Sequence, residues 1–348
     1  MIASPYFPES PRRSLSSAAG LREVEAVMMR LAIGERLDIA GEMVGESLRT
    51  GGKRLRAHLA LAAGHALGVS DEPLVLWAAA CELLHNATLI HDDIQDADHV
   101  RRGRPTLWAR HGVGQAINAG DLMLMLPFLG VGEIDAPPAL RNRLYAALSV
   151  AAARTARGQA AEMDLPNQDD VGWSRWIEVA EGKSGALLGL PVQGAAILAG
   201  LDDASSRAFA SAFSRAGVLY QLQDDLLDLS LEKGKGRPAS DLREGKMSAL
   251  IVAHLELHPD EALETYRWLR DPELRRDDEA IAFVLKRLFD GGAVEQVRAQ
   301  VPLWADSVTC DARLRAVPEL AEVAQELVDR VLRAGDSLSL SPPPGSAA

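Results

Sequence analysis

Apolar residues recur every three or four positions along almost the whole chain, a spacing that predicts helices. Sustained period-two alternation of β-branched residues is absent, and there are only six threonines, so strands are not expected. Helix starts are well punctuated. Ser70-Asp71-Glu72-Pro73, Asp135-Ala136-Pro137 and His258-Pro259-Asp260 each put a capping residue or an early proline before an apolar run. Gly51, Gly52, Gly291 and Gly292 fall between such runs. The stretch from Leu74 to Ile90 is apolar on nearly every face and carries one charge, Glu82, the signature of a helix at the centre of a bundle. Glu82, His85, Asn86 and Thr88 are its polar exceptions, and a satisfied core histidine is the ordinary explanation of His85. With no internal repeat and no Ser/Gly linker, the pattern predicts one all-α domain over residues 19–334. Residues 1–18, broken by Pro5, Pro8 and Pro11, and residues 335–348, rich in Ser and Pro, read as disordered tails.

Composition narrows the function. The 348 residues carry 37 basic and 49 acidic side chains, a net charge of −12, which argues against a nucleic-acid partner. A hydrophobic share of 47% excludes a wholly disordered chain, and an aromatic share of 5% leaves the core to Ala and Leu. Two cysteines, Cys81 and Cys310, are too few for a disulfide framework and suit a reducing compartment. No apolar stretch follows a basic start at the N-terminus, so no signal peptide is expected. The uncharged run from Gly185 to Leu201 contains Pro191 and Gln193 and falls short of the about 20 apolar residues a bilayer span needs. The expectation is a soluble, cytoplasmic protein with no integral membrane segment.

Asp-Asp occurs five times. Asp169-Asp170, Asp202-Asp203 and Asp277-Asp278 each precede a predicted helix, where carboxylates cap free N–H groups. The other two are different. Asp92-Asp93-Ile94-Gln95-Asp96 and Asp224-Asp225-Leu226-Leu227-Asp228 place three acids in one helical turn of an apolar segment, with i and i+4 on one face. A solvated acidic face explains one such turn. It does not explain two, each set among Leu, Ile and Gln. Clustered hard oxygens suit Mg²⁺, which takes one or two carboxylates, waters and substrate phosphates. Against this acidic background stand two basic clusters, Gly51-Gly52-Lys53-Arg54-Leu55-Arg56 and Arg101-Arg102-Gly103-Arg104. Exposed backbone N–H groups with fixed cations are what a diphosphate needs. The chain therefore carries equipment for two diphosphates, one held through metal and one by Arg and Lys.

These motifs resemble the polyprenyl synthetase family, the trans-isoprenyl diphosphate synthases, most of all those making geranylgeranyl or farnesyl diphosphate. The matches run in order: GGKRLR, ELLHNATLIHDDIQDADHVRRGRPT, GQAAEMDL from residue 158, EGKSGALL from 181, YQLQDDLLD from 220 and DLREGK from 241. The resemblance implies an all-α fold, a single large helical bundle around a central cavity. It implies that Asp92, Asp93 and Asp96 bind Mg²⁺ from one wall, with Asp224, Asp225 and Asp228 opposite, and that three ions sit with the allylic diphosphate bound. Lys53, Arg56, His85 and Arg102 would hold isopentenyl diphosphate. Arg101, Lys183, Ser184 and Gln221 would serve the allylic diphosphate, and Lys183 would join the six aspartates in catalysis. Ser184 stands where the family has Thr and Tyr220 where it often has Phe, both mild departures. The segment between Asp228 and Asp241 is shorter than usual, leaving Lys235, or Arg237 beside it, for the allylic group. Ser248-Ala249-Leu250 replaces the usual Thr-Leu-Pro, which would let the helix run on. A homodimer is also implied.

The implied reaction is a head-to-tail condensation of isopentenyl diphosphate with an allylic diphosphate, started by Mg²⁺-assisted ionisation. In the family, aromatic residues four or five positions before the first acidic motif go with short products. Ala87 and Thr88 stand there and are small, so C20, geranylgeranyl diphosphate, is the expected product. Leu84 and Met123, Met125 and Phe128 are candidates for a deeper floor. Farnesyl or longer products, a class I terpene cyclase and a regulatory subunit of a heteromeric synthase are the alternatives. Two complete acidic motifs argue against the last two.

Overall fold

The computed structural model describes residues 18–34, 38–229 and 239–333. The two predicted tails lie almost wholly outside that range. The described chain is helical nearly throughout, as the spacing predicts; among the described residues the only strands form one two-stranded ribbon. The order is α1 (Ala18–Ile33), α2 (Ile39–Arg49), α3 (Leu55–Ala66), α4 (Asp71–Gln95), the hairpin of β1 (Val100–Arg101) and β2 (Arg104–Pro105), α5 (Leu107–His111), α6 (Val113–Gly132) and α7 (Pro138–Asp164). There follow α8 (Trp173–Ala180), α9 (Ala186–Leu198), α10 (Asp203–Asp228), α11 (Ser240–Glu244), α12 (Ala249–Leu257), α13 (Ala262–Arg270) and α14 (Asp278–Asp290). The last are α15 (Ala293–Thr309), α16 (Ala312–Arg315) and α17 (Pro318–Leu332).

The chain divides into two compact units. One comprises the described residues up to Ala153 with Leu187–Phe213 and Ala312–Ala324; the other comprises Arg154–Ala186, Ser214–Asp311 and the described residues from Gln325. In the first unit α4 packs against α6, α3 and α1. Burial all round α4, including Trp77, Leu83, Leu84 and Ala87, explains its continuous apolar sequence. By length and composition α4 could cross a membrane, but most of its apolar window is buried within the protein. Close helix approach needs glycine here. A Cβ on Gly194 of α9 would lie 1.9 Å from the Trp77 ring, and the Trp77 indole N–H donates to the Pro191 carbonyl at 2.9 Å.

The second unit has its own core, in which Trp176, Val218, Leu222, Leu226, Leu250, Ile251, Leu269 and Leu288 are buried. The helix-start readings fare unevenly. Ser70 precedes α4, Asp277 accepts from Glu279 N at the start of α14, and Asp202 accepts from Ser205 N at the start of α10. Asp169-Asp170 makes no such cap. Gly172 opens α8, and Asp169 pairs with Arg270 at 2.7 Å. Nor does a helix run on through Ser248. The chain breaks at Gly245 (φ +76°), and α12 begins afresh at Ala249.

Candidate active site

The first basic cluster is shaped by glycine. Beyond α2 the chain turns through Gly51 (φ +77°) and Gly52 (φ +148°), conformations L side chains rarely adopt, and Arg54 is left-handed before α3 begins. Gly52 has a second reason to lack a side chain: its Cβ would lie 2.8 Å from the Arg102 guanidinium, which donates to the Gly51 carbonyl. Arg102 itself has φ +54° and Gly103 φ +73°, the paired positive angles of a tight hairpin turn joining β1 to β2. The ribbon is pinned at its base, where the Thr106 hydroxyl and the Trp108 indole N–H both donate to the Asp98 carbonyl at 2.8 Å. A strained, anchored turn thus carries Arg102 to the glycine loop.

Beneath that loop lies a buried network. Arg54 donates to Glu25 Oε1 and the Leu48 carbonyl, both at 2.9 Å. Glu82 of α4 accepts from Ala57 N at 3.1 Å and so caps the start of α3 from a neighbouring helix, while Asn86 donates to its carboxylate at 3.3 Å. His85 stands among four guanidinium groups. Burial first, then the charges of Arg56, Arg102, Arg101 and Arg54, hold its imidazole well below the usual histidine range. Its Nδ1 is buried without a hydrogen-bond partner, and so is Nε of Arg56. Three of the four residues assigned to isopentenyl diphosphate, Arg56, His85 and Arg102, therefore share one electropositive environment; Lys53 is exposed on the adjoining loop.

The first acidic turn closes α4: Asp92 and Asp93 lie in its last turn and Asp96 is its C-cap. No basic residue occupies that turn, so the acids face the negative end of the helix dipole, a placement that disfavours them. Asp93 is buried and paired with Arg101 Nε. Burial raises its carboxyl to about 6 against the pull of Arg101. Asp92 and Asp96 are partly exposed.

In the second unit, residues Glu181–Gly185 form a π-turn that carries Lys183 and Ser184, and Lys183 pairs with Glu162 of α7. The second acidic turn ends α10, again with no basic residue in the last turn. Here two acids are occupied by the protein. Asp225 accepts from Gln221 Nε2 at 2.8 Å and from Ala249 N at 2.6 Å, which caps α12. Asp228 accepts from the Ser240 hydroxyl and from Asp241 N at 2.8 Å, which caps α11. Both are buried, whereas Asp224 is partly exposed. Lys235 and Arg237 lie outside the described residues.

Among the described residues no three His, Cys, Asp or Glu side chains converge as a ready-made metal cage. Mg²⁺ does not require one, because substrate phosphates and waters complete its shell. Partly exposed carboxylates at helix ends with no basic residue in the last turn fit such an ion, and prenyl diphosphate synthases of the polyprenyl synthetase type use Mg²⁺.

Comparison with known proteins agrees. Residues 26–285 match the family model for polyprenyl synthetase. The chain belongs to the polyprenyl synthetase family. It is 33% identical over 295 residues to a geranylgeranyl pyrophosphate synthase of Geoglobus acetivorans, covering 81% of this chain and 88% of that one. It is also 33% identical over 295 residues to a (2E,6E)-farnesyl diphosphate synthase of Mycobacterium bovis, covering 80% of each. Among solved structures, the Geoglobus acetivorans geranylgeranyl pyrophosphate synthetase superposes with a TM-score of 0.77 at 29% identity, over 90% of this chain and 98% of that one. A decaprenyl diphosphate synthase of Rhodobacter capsulatus does so with a TM-score of 0.80 at 25% identity, over 92% and 98%. The protein is a trans-prenyltransferase that elongates prenyl diphosphates.

Several contributors to this polyprenyl synthetase site had no sequence signal of their own. Arg54 looks like another diphosphate cation but is committed to Glu25 and Leu48. Glu82 and Asn86 look like stray polar residues and turn out to cap α3 and brace that cap. Ser240 and Ala249 gain their roles only because α10 ends beside them. Met125, a candidate for the tail floor, is 56% exposed, while Met123 is fully buried.

Proposed function

We propose that the enzyme joins isopentenyl diphosphate head to tail to allylic diphosphates and releases mainly geranylgeranyl diphosphate. The observation that carries the chain length is Ala87, small and fully buried five residues before Asp92, with Thr88 beside it. Leu84 lies two helical turns before Asp92 on the same side of α4, and one turn rises about 5.4 Å, near the length of one isoprene unit. A tail following that face meets small residues at Ala87 and Thr88, where an aromatic side chain would stop it.

In this reading Asp92 and Asp96 of the first acidic turn and Asp224 of the second would hold the Mg²⁺ that comes with the allylic diphosphate. Asp93, Asp225 and Asp228 complete the two acidic turns and fix their shape. Mg²⁺, when bound, supplies positive charge against the departing diphosphate. Arg101, Lys183, Ser184 and Gln221 orient that diphosphate, with Lys235 or Arg237 from the segment before α11. As the allylic C–O bond ionises, their fixed charges and donors stabilise the leaving group. Arg56, Arg102, Lys53 and neutral His85 hold isopentenyl diphosphate, whose alkene attacks the allylic cation. The proton then lost from the adduct goes to the released diphosphate. Apolar helix walls keep water from the cation.

The enzyme works as a cytoplasmic homodimer in this reading. Val113, Ile117, Met125 and Leu129 leave an exposed apolar stripe on α6, and both cysteines are free thiols. The test is incubation with Mg²⁺, isopentenyl diphosphate and primers of five, ten and fifteen carbons, followed by product extraction. C20 is expected from wild type and a product about one isoprene shorter from Ala87→Phe. A wild type that stops at C15, or an unchanged product from Ala87→Phe, overturns the assignment of this wall.

A further inference from the structure

Lys183 sits where the backbone leaves α-helical register. Over Glu181–Gly185 the turn widens, and the N–H of Ala186 bonds five residues back to the Glu181 carbonyl. Two neighbouring helices touch this π-turn through glycine. A Cβ on Gly158 of α7 would lie 2.3 Å from the Lys183 nitrogen and 2.7 Å from the Gly182 carbonyl carbon. A Cβ on Gly217 of α10 would lie 2.3 Å from the Gly185 nitrogen and 2.8 Å from the Ser184 carbonyl carbon. One on Gly185 would lie 2.5 Å from the Ser214 carbonyl oxygen. All of these obstacles are backbone, which cannot swing aside as a side chain can. Neither Gly158 nor Gly217 has a positive φ, so glycine is there for space and not for conformation. Helix propensity alone would favour alanine at both positions by about 1 kcal/mol. Packing and propensity therefore pull in opposite directions, and packing prevails.

We infer that Gly158 and Gly217 are positioning residues: by admitting the backbones of α7 and α10 to direct contact with the π-turn, they set where Lys183 is presented to the allylic diphosphate. The inference rests on the assignment of Lys183 to that diphosphate. α7 holds the turn twice, through Gly158 at its backbone and through Glu162 at the Lys183 ammonium. Moving the turn by the few tenths of an ångström to an ångström that a methyl group demands would move the ammonium with it.

The experiment is steady-state kinetics on the full chain, with the KM for each diphosphate measured separately and a thermal melt on every variant. Gly158→Ala and Gly217→Ala should raise the allylic KM about tenfold and leave the isopentenyl diphosphate KM within about twofold. On a Lys183→Ala background the same substitutions should add nothing to the allylic KM, because the group they position is gone. Gly182→Ala guards against loss of folding. Its Cβ would meet the Gly158 Cα at 3.3 Å, so it should fold and show the same selective shift at smaller size. An unchanged allylic KM in folded Gly182→Ala overturns the proposal, as does a shift that persists in full without Lys183. If Lys183→Ala itself leaves the allylic KM unchanged, the ligand assignment falls, an outcome distinct from failure of the glycine variants alone.

Discussion

The two acidic turns have the same Asp-Asp-x-x-Asp sequence and the same place at the C-terminal end of a long helix, yet the protein holds them by different chemistry. In the Asp92 turn the buried acid, Asp93, is held by a charge, the Arg101 guanidinium. In the Asp224 turn the two buried acids, Asp225 and Asp228, accept hydrogen bonds from an amide side chain, a hydroxyl and two backbone N–H groups. The second arrangement makes the motif part of the fold, since each buried acid starts a helix. The first couples the motif to a basic hairpin, the one proposed to bind substrate. One aspartate differs least between the turns. Asp92 and Asp224, first in each motif, are both partly exposed.

That shared member gives the largest expected effect. Asp92→Asn and Asp224→Asn should each lower kcat by about a hundredfold or more at saturating Mg²⁺, with melting temperature and helix content unchanged. Removing one of several mutually repelling carboxylates does not harm the metal-free fold. Wild-type turnover in both variants would detach the exposed acids from metal binding.

Next come the two arginines of the hairpin. Arg102→Ala should raise the KM for isopentenyl diphosphate by about tenfold or more, because no metal compensates at that site. Arg101→Ala should act on the allylic substrate, since it removes both the proposed diphosphate contact and the partner of Asp93. Weakening of only the allylic substrate in both variants would merge two sites that the charge arrangement keeps apart.

The contrast between charged and neutral support is read directly from stability. Asp228→Ala strands the Ser240 hydroxyl and the Asp241 N–H at a buried position and should lose about 2–4 kcal/mol in a denaturant melt. Asp93→Ala leaves Arg101, which is 31% exposed and can turn to water, and should lose about 1 kcal/mol or less. Equal losses would show that the two turns are supported alike.

Much of this was legible in the sequence and some of it could not be. Helical spacing, the apolar Leu74–Ile90 run and the two acidic turns are local patterns, and the all-α class follows from them, whereas the spacing leaves open whether each motif lies inside a helix or at its end. The residues that misled are those whose partners are remote in sequence. Glu82 meets Ala57 across 25 residues, Arg54 meets Glu25 across 29, and Asp225 meets Ala249 across 24. Spacing within a helix carries no information about such pairs. The missing proline after Ser248 suggests a continuous helix, and the signal against it is Gly245, whose φ of +76° ends α11. His85 shows the limit most clearly, because its identity as core residue or ligand depends on arginines from two other segments, the start of α3 and the hairpin.

His85 also carries the smallest prediction, and the one that tests whether charge governs the region around the Asp92 turn. Burial and four nearby guanidinium groups depress its folded-state pKa well below the ordinary value of 6.5, so it is neutral in the folded protein near pH 7. In the unfolded chain it titrates near that ordinary value. Below about pH 6.5 the unfolded state therefore binds a proton that the folded state refuses. Stability associated with His85 is present above that pH and is lost as pH falls. His85→Gln, which does not ionise, should remove this component, so its melting temperature should fall less than wild type between pH 7 and pH 5. If His85→Gln and wild type lose stability in parallel, the guanidinium cluster does not control the protonation of His85, and the charge-based reading of the first turn's surroundings fails.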